Sequence, residues 1–545
     1  MIWKIGLTPM KLRTINAALA CLGCLLEAAS LKGAGDMPGI EKIELGRDRG
    51  FHVNGKPFFP IMAWLQEPRN FETIRSCGMN TVAGYWPKSG GTRDVLEYLN
   101  LVEKAGLYGV VPFDERLKGH PALLGYLHDD EPDLPQRISD AIVEPAQNLT
   151  INSQTPLWKL VDGDLFSWSV LDPLEGASVT VKPKEPVTVR SLAVWLTISE
   201  GLSVAHEIAF EANGKELLRA TVAPRRGQRK FDLPHPVTLT QLTLRILSVN
   251  PAKNVWGSLG EIEGFDEDGR NVLLSPPRTV PRSSPADVLH QYGVIKKADS
   301  SRPVFMTLTG CFHPFFNKYN ADQLKMYPEY IKATDVVGFD IYPIYGWNKP
   351  EWIHLVYEGT ELLVEMAGAR PVYAWIETSK GSRWTGDLAE QKDVKPSHIR
   401  AEVWMAICRG ATAIGYFTHV WKPSYSQFGV PPANREAMTQ INAQITRLTP
   451  AILGDEPEQT VSIRGEKAVK LDALAKCKNG ELYIFAVNYD ESLRETRARL
   501  EVEGIPALTD VTVVDEGRTV TSEEGFFVDV FEPLAVHIYR ISSAG

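Results

Sequence analysis

The chain has 545 residues, with 58 Lys+Arg against 67 Asp+Glu and a formal charge of −9. At roughly 150 residues per domain this length predicts three to four domains, and the mild acidity excludes nucleic acid as the main partner, because phosphate binding needs clustered excess cations. Six Cys exclude a disulfide-built scaffold, and 43 Gly with 37 Pro exclude a collagen-like or low-complexity chain.

Residues 1–35 read as a cleaved export signal. Lys4, Lys11 and Arg13 form a basic start, an apolar run of about 12 residues follows from Ile15 to Leu26, and Ala28, Ala29 and Ser30 offer a cleavage site. This predicts a secreted or periplasmic protein. Cys21 and Cys24 leave lipid anchoring as a weaker alternative, since neither has Leu three residues before it. The apolar run is short for a bilayer span, and no later stretch is long and apolar enough to cross a membrane.

Next comes an Asn54-Gly55 hairpin signal. Short apolar runs then alternate with helix-like segments, the pattern of βα units around a parallel sheet. The strand candidates are 58–63, 81–84, 109–113, 123–127, 304–307, 336–341, 372–376 and 413–417. Eight such strands close a (β/α)8 barrel. Helices are expected over 70–77, 92–104, 286–298, 362–367, 398–408 and 434–448; between the third and fourth strands only 114–122 remains, so that crossover is degenerate. Residues 140–284 interrupt the series with short alternating runs between Gly, Pro, Asp and Asn turns. A loop of that length has to be a domain in its own right, so they are expected to form a β-sandwich inserted after strand four. The barrel is then discontinuous, over 40–139 and 285–450. Residues 454–545 turn all-β again and predict a C-terminal sandwich.

The active site of such a barrel forms at the C-terminal strand ends. The residues there are Trp64 after strand one, Trp86 after strand two, Asp130 and Glu131 after strand four, Asp340 and Tyr342 at strand six, Glu377 after strand seven, and His419 and Trp421 after strand eight. Indole and phenol rings stack on sugar C–H faces, and carboxylates bind hydroxyls. A carboxylate that ends an apolar strand, as Glu377 does, needs a partner or a function. Cleaving a glycosidic bond needs one carboxylic acid to protonate the leaving oxygen and a second carboxylate to attack or to activate water. Glu131 and Glu377 are the expected catalytic pair; Trp64, Trp86, Asp130, Asp340, Tyr342, His419 and Trp421 are the expected substrate contacts.

These residues carry a resemblance. Residues 55–60 (GKPFFP), 120–126 (HPALLGY) leading into Asp130-Glu131-Pro132, 338–343 (GFDIYP) and 371–377 (PVYAWIE) resemble the first, fourth, sixth and seventh strand regions of glycoside hydrolase clan A, the retaining (β/α)8-barrel glycosidases. The resemblance implies Glu131 as acid/base, Glu377 as nucleophile, Tyr342 beside the nucleophile and Trp421 under the sugar at the cleavage point. It requires no metal or organic cofactor. Asp130 departs from the pattern, standing where many clan members have Asn. The insert, through 160–164 (LVDGD) with Trp168, 244–246 and 260–264 (GEIEG), resembles the galactose-binding-like (discoidin-like) sandwich. That resemblance implies a structural Ca2+ near these turns, with Asp162, Asp164 and Glu261 as oxygen ligands. The expected partner is a carbohydrate. The function expected is a retaining glycosidase acting on an oligo- or polysaccharide; the alternative is a non-catalytic carbohydrate-binding or adhesion protein on a decayed barrel.

Overall fold

The computed structural model describes residues 37–85, 94–147, 149–466, 468–490, 492 and 494–542. The expected signal and Trp86 lie outside these residues.

Eight parallel strands close a barrel in the order β5-β6-β7-β8-β1-β2-β3-β4. They are β1 (Ile61–Trp64), β2 (Thr81–Ala83), β3 (Tyr108–Pro112), β4 (Leu123–Leu127), β5 (Val304–Thr309), β6 (Val336–Asp340), β7 (Val372–Glu377) and β8 (Ala413–Phe417). The helices are α1 (Phe71–Ser76), α2 (Val95–Lys104), α3 (Pro285–Ala298), α4 (Met326–Lys332), α5 (His354–Ala367), α6 (Pro396–Cys408) and α7 (Pro432–Ile452). Local chemistry sets several helix starts. Asp94 accepts the Leu96 N–H at 2.8 Å, and Ser284 accepts the Asp287 N–H at 3.2 Å ahead of Pro285. Between β3 and β4 only a 3-10 turn, Glu115–Leu117, occurs. The first strand is shorter than expected: Phe58 ends a separate hairpin strand, and Pro60, which has no N–H to donate, separates it from β1.

Both faces of each barrel strand are buried, so the strands read as continuous apolar runs. In β7, Val372, Ala374 and Ile376 pack with the helical layer, while Tyr373 and Trp375 join the interior with Trp64, Leu124, Phe305 and Phe417. The N-terminal end of the barrel is covered by a three-stranded sheet, Ile43–Leu45, Phe51–Val53 and Lys56–Phe58, whose Phe51 stacks on Phe305 at 5.8 Å. Its turn needs left-handed backbone at two successive residues, which Asn54 (φ 52°) and Gly55 (φ 78°) supply.

After β4 the chain leaves the barrel through Pro135–Ile138 and returns through Arg278–Pro281, and these two strands pair antiparallel as a stem. Beyond the stem lie two largely antiparallel sheets joined where Leu202–Ala212 runs parallel to Asn254–Phe265. Leu160, Leu192, Phe210, Leu244 and Ile262 form a core of their own there. The C-terminal sandwich packs its Phe485 against Trp404 of α6, rings 5.6 Å apart and nearly parallel, and stacks Tyr489 on Tyr357 of α5. No helix among the described residues is long and apolar enough to cross a membrane.

Candidate active site

The C-terminal strand ends open into a cavity of about 940 Å³, within the usual range for ligand sites. Trp64, Asp130, Glu131, Asp340, Tyr342, His419 and Trp421 all line it, together with Trp375, Phe417 and Tyr425. Leu134, Pro135 and Arg282 line it too, so the foot of the insert's stem forms part of the wall. Two lining residues hold left-handed backbone without being glycine, Leu65 (φ 44°) and Glu131 (φ 48°). Strain of this kind is kept where surrounding structure fixes a side chain for a purpose.

Three carboxyl groups converge in the cavity. Asp340, at the end of β6, is hydrogen-bonded to Glu131 after β4; burial, then the charges of Glu131 and Asp130, hold its carboxyl well above the ordinary carboxylate range. Asp130 is pushed up to about 7, by burial first and by Glu131 second. A neighbouring negative charge disfavours ionisation, so the buried Asp340 carboxyl is held toward its protonated form. Arg282 donates to the Asp130 carbonyl at 2.5 Å and lies 3.8 Å from Glu131. Behind them Asp133, fully buried, accepts from the Thr309 N–H and hydroxyl, both at 2.8 Å, and from the Tyr327 hydroxyl at 3.1 Å. It ties the turn that carries Glu131 to β5 and α4.

The other wall is aromatic. Trp64 meets Trp375 edge-on at 5.1 Å, and Phe417 stacks on Trp421 at 6.0 Å with an interplanar angle of 13°. His419 is buried, which lowers its pKa; it is therefore neutral at neutral pH. Its Nε2 lies 3.0 Å from the Trp64 carbonyl and its Nδ1 3.3 Å from the Tyr425 hydroxyl. The carbonyl can only accept, so the proton sits on Nε2 and Nδ1 accepts from Tyr425. Tyr342 lies against Phe417 at 5.0 Å. The charges that bear on its hydroxyl include those of Asp340, Asp130 and Glu131.

Glu377 is placed differently. It ends β7 beside Phe417 of β8, but it is fully buried and is absent from the cavity lining. Its carboxylate accepts the N–H groups of Ile344 at 2.9 Å and of Tyr345 at 2.5 Å. Glu402 of α6 abuts it and is equally buried; apart from Glu377, no described residue satisfies either Glu402 oxygen. Burial pushes Glu377 up to about 7 and Glu402 well above the ordinary range. Glu131 faces the cavity with Asp340, while Glu377 holds the loop after β6. Asp133, Arg282 and Glu402 were not among the expected site residues. The apolar run around Glu402, Ala401 to Cys408 on α6, was the one available signal of a buried acid.

In the insert, the expected calcium trio is divided. Glu261 is hydrogen-bonded to Asp162, and burial, then that bond, pushes it up to about 9. Asp164 instead accepts the Phe166 N–H at 3.0 Å and lies 3.5 Å from Arg137. No cluster of three or more His, Cys, Asp or Glu suited to a metal occurs among the described residues. The raised Glu261 has a sign that can be checked. Its stabilising contribution is complete below the unfolded carboxyl pKa, near ~4.5, and is lost as pH rises toward about 9. Melting curves from pH 5 to 9 should therefore fall with pH, and Glu261→Gln should flatten that fall and raise the melting temperature at pH 8.5 by roughly 2–4 °C.

No protein-family model matches the chain, and no curated protein matches it. Among solved structures, an Anoxybacillus alpha-amylase is 12% identical over 48% of this chain and 57% of its own, with a TM-score of 0.35. The alpha-amylase of Geobacillus thermoleovorans, complexed with acarbose, is 13% identical over 48% of this chain and 58% of its own, also at 0.35. This chain therefore matches a little over half the length of either enzyme. The family 32 carbohydrate-binding module of C. perfringens NanJ, in complex with galactose, is 13% identical over 24% of this chain and 97% of its own, with a TM-score of 0.20. These are likenesses of shape over parts of the chain.

Proposed function

We propose that the protein is a retaining glycoside hydrolase that cleaves an oligo- or polysaccharide in this cavity with two carboxyl groups. The observation that carries the reading is the hydrogen-bonded Glu131–Asp340 pair in a cavity walled by Trp64, Trp375, Phe417 and Trp421. Asp340, held well above the ordinary carboxylate range, carries the proton. When a sugar enters, the pair parts around the glycosidic bond. Asp340 protonates the leaving oxygen as the C–O bond breaks, and the Glu131 carboxylate attacks the anomeric carbon. Water, losing a proton to Asp340, then opens the glycosyl-enzyme and frees Glu131. Carboxyl groups already in contact need open only to ~5–5.5 Å, the spacing for retention, rather than the ~6.5–9.5 Å for inversion. Nothing in this sequence requires a metal or cofactor. Export, expected from residues 1–35, suits a glycan substrate outside the cell.

A second reading follows the sequence resemblance: Glu131 as acid/base and Glu377 as nucleophile. It is favoured by the place of Glu377 at the end of β7, beside the cavity residue Phe417. In that case Glu377 must exchange the Ile344 and Tyr345 amides for the sugar.

Release of reducing ends from a panel of plant, algal and host glycans tests the proposal, with the anomeric configuration of the first product followed by NMR. Retention by the wild type, lost in Asp340→Asn, supports the first reading. Retention with Asp340→Asn active and Glu377→Gln inactive but folded supports the second. Inversion contradicts both, and cleavage of nothing by the wild type leaves a sugar-binding barrel.

A further inference from the structure

Two cations that line the cavity, Arg383 and Lys318, have no ion pair among the described residues. The loop after β7 is cinched by buried Gln391, which accepts the N–H groups of Gly381 and Ser382 at 2.9 and 3.0 Å and donates to the Ser382 carbonyl at 2.8 Å. The Gly381 carbonyl in turn accepts the Trp421 and Lys422 N–H groups at 2.8 and 3.0 Å, pinning this loop to the one after β8. Gly381 has φ 108°, and a Cβ there would meet the Lys422 carbonyl at 2.8 Å, so only glycine makes this junction.

The junction presents Arg383. Its guanidinium lies over two indoles at once, 4.9 Å from the Trp384 ring and 5.0 Å from the Trp421 ring, and those rings are 5.3 Å apart. Lys380 pairs with Asp393 at 2.8 Å, Lys422 donates to the Gly386 carbonyl, and Arg282 faces Glu131. Arg383 has no ion pair or side-chain hydrogen bond among the described residues, although it lines the same cavity as the carboxyl pair. Lys318, which follows β5, lines the cavity too and likewise has no ion pair among the described residues. Asp340 and Asp130 do not offset these cations fully, since both are held toward their neutral forms. A guanidinium stacked on aromatic faces is fixed in place while its edge N–H groups stay free, the geometry that takes a carboxylate or sulfate bidentately. A guanidinium can donate to the hydroxyls of any saccharide, but an anionic one is in addition drawn in by its charge and can take two parallel N–H bonds.

We infer that the substrate is an acidic glycan, and that the sugar lying against Trp421 and Trp384 carries a carboxylate or sulfate bound by Arg383. This rests on the reading of the cavity as the saccharide site.

The test is binding of the full-length Glu131→Gln protein to an array of neutral, uronate-bearing and sulfated oligosaccharides, followed by titration calorimetry with the strongest glycan on it. The strongest glycan should be acidic. Adding Arg383→Gln should weaken it about 10- to 100-fold, the worth of a charge-assisted hydrogen bond or two, with Arg383→Lys recovering part of the loss. Esterifying the carboxyl groups of a uronate glycan should abolish its binding; a sulfated glycan should be indifferent to that treatment, which separates the two anions. Arg383 is exposed, so unchanged melting temperatures are expected throughout. The inference is overturned if the strongest glycan is neutral, or if Arg383→Gln binds an acidic one unchanged. Wild-type cleavage of a neutral glycan at a rate indifferent to Arg383→Gln would remove the inference and leave the hydrolase standing. Arg383-dependent binding of an acidic glycan that the wild type never cleaves would do the reverse.

Discussion

Glu131→Gln is expected to lower kcat by at least ~10²–10⁴-fold, the contribution of a positioned proton-transfer or nucleophilic carboxyl group, while the affinity for glycan changes by less than ~5-fold. The substitution keeps the side-chain volume and one hydrogen-bond acceptor, so the contact with Asp340 can persist. It removes the group that attacks in one reading and transfers the proton in the other. Asp340→Asn separates these readings. It should be nearly as damaging as Glu131→Gln if the hydrogen-bonded pair acts together, and the two changes combined should cost little more than either alone, since residues acting as a unit are not additive. The reaction uses the protonated form of Asp340, whose pKa is raised, and the neighbouring Asp130, pushed up to about 7, gains its charge as pH rises through that value. The pH profile of kcat/KM should accordingly fall above about pH 7, and Asp130→Asn should shift that falling limb.

The second large effect concerns stability. Glu377→Leu removes the acceptor of the Ile344 and Tyr345 N–H groups and buries two unsatisfied donors, at roughly 1–3 kcal/mol each. Denaturant curves should show a loss of about 2–5 kcal/mol at pH 6. Glu402→Met should act in the opposite direction. It replaces a buried carboxyl whose oxygens face only Glu377 with an apolar side chain of similar length, and such exchanges are often stabilising. The sign with pH follows from the raised pKa of both groups. Below about pH 4.5 folded and unfolded chains carry the same protons, and nothing is lost. As pH climbs to about 7 the unfolded chain ionises first, so the wild type loses stability. Glu402→Met should remove much of that slope, and its advantage should be larger at pH 8 than at pH 5. If Glu377→Leu melted like the wild type, the loop-holding role assigned to Glu377 would be wrong.

Much of the fold was legible in the sequence because a barrel strand, buried on both faces, writes itself as a short unbroken apolar run. Runs at 123–127 and 413–417 coincide with β4 and β8, and the others differ at their ends by one to three residues. The largest shift is at the first strand, where Pro60 decides the boundary. The insertion was legible from the change of period after β4; the stem pairing Pro135–Ile138 with Arg278–Pro281 was not, since two prolines and scattered charges hide it. Within the site, strand ends were a sufficient guide to Trp64, Asp130, Glu131, Asp340, Tyr342, His419 and Trp421. Glu377 ends its strand as they do but is not among the residues that line the cavity. A period of two groups it with Tyr373 and Trp375, but two amides of the loop after β6 bind its carboxylate, and no sequence pattern announces where a loop turns back. Asp162 and Glu261, about a hundred residues apart, are hydrogen-bonded to each other, a contact that no local pattern announces.

The most direct measurement is product release by wild type and Glu131→Gln from the same glycan, with binding to both followed in parallel. The account predicts that the wild type releases a sugar of retained configuration and that Glu131→Gln binds the glycan but releases none. A Glu131→Gln protein that cleaves at the wild-type rate, or a wild type that binds glycan in the cavity and cleaves none, would contradict it.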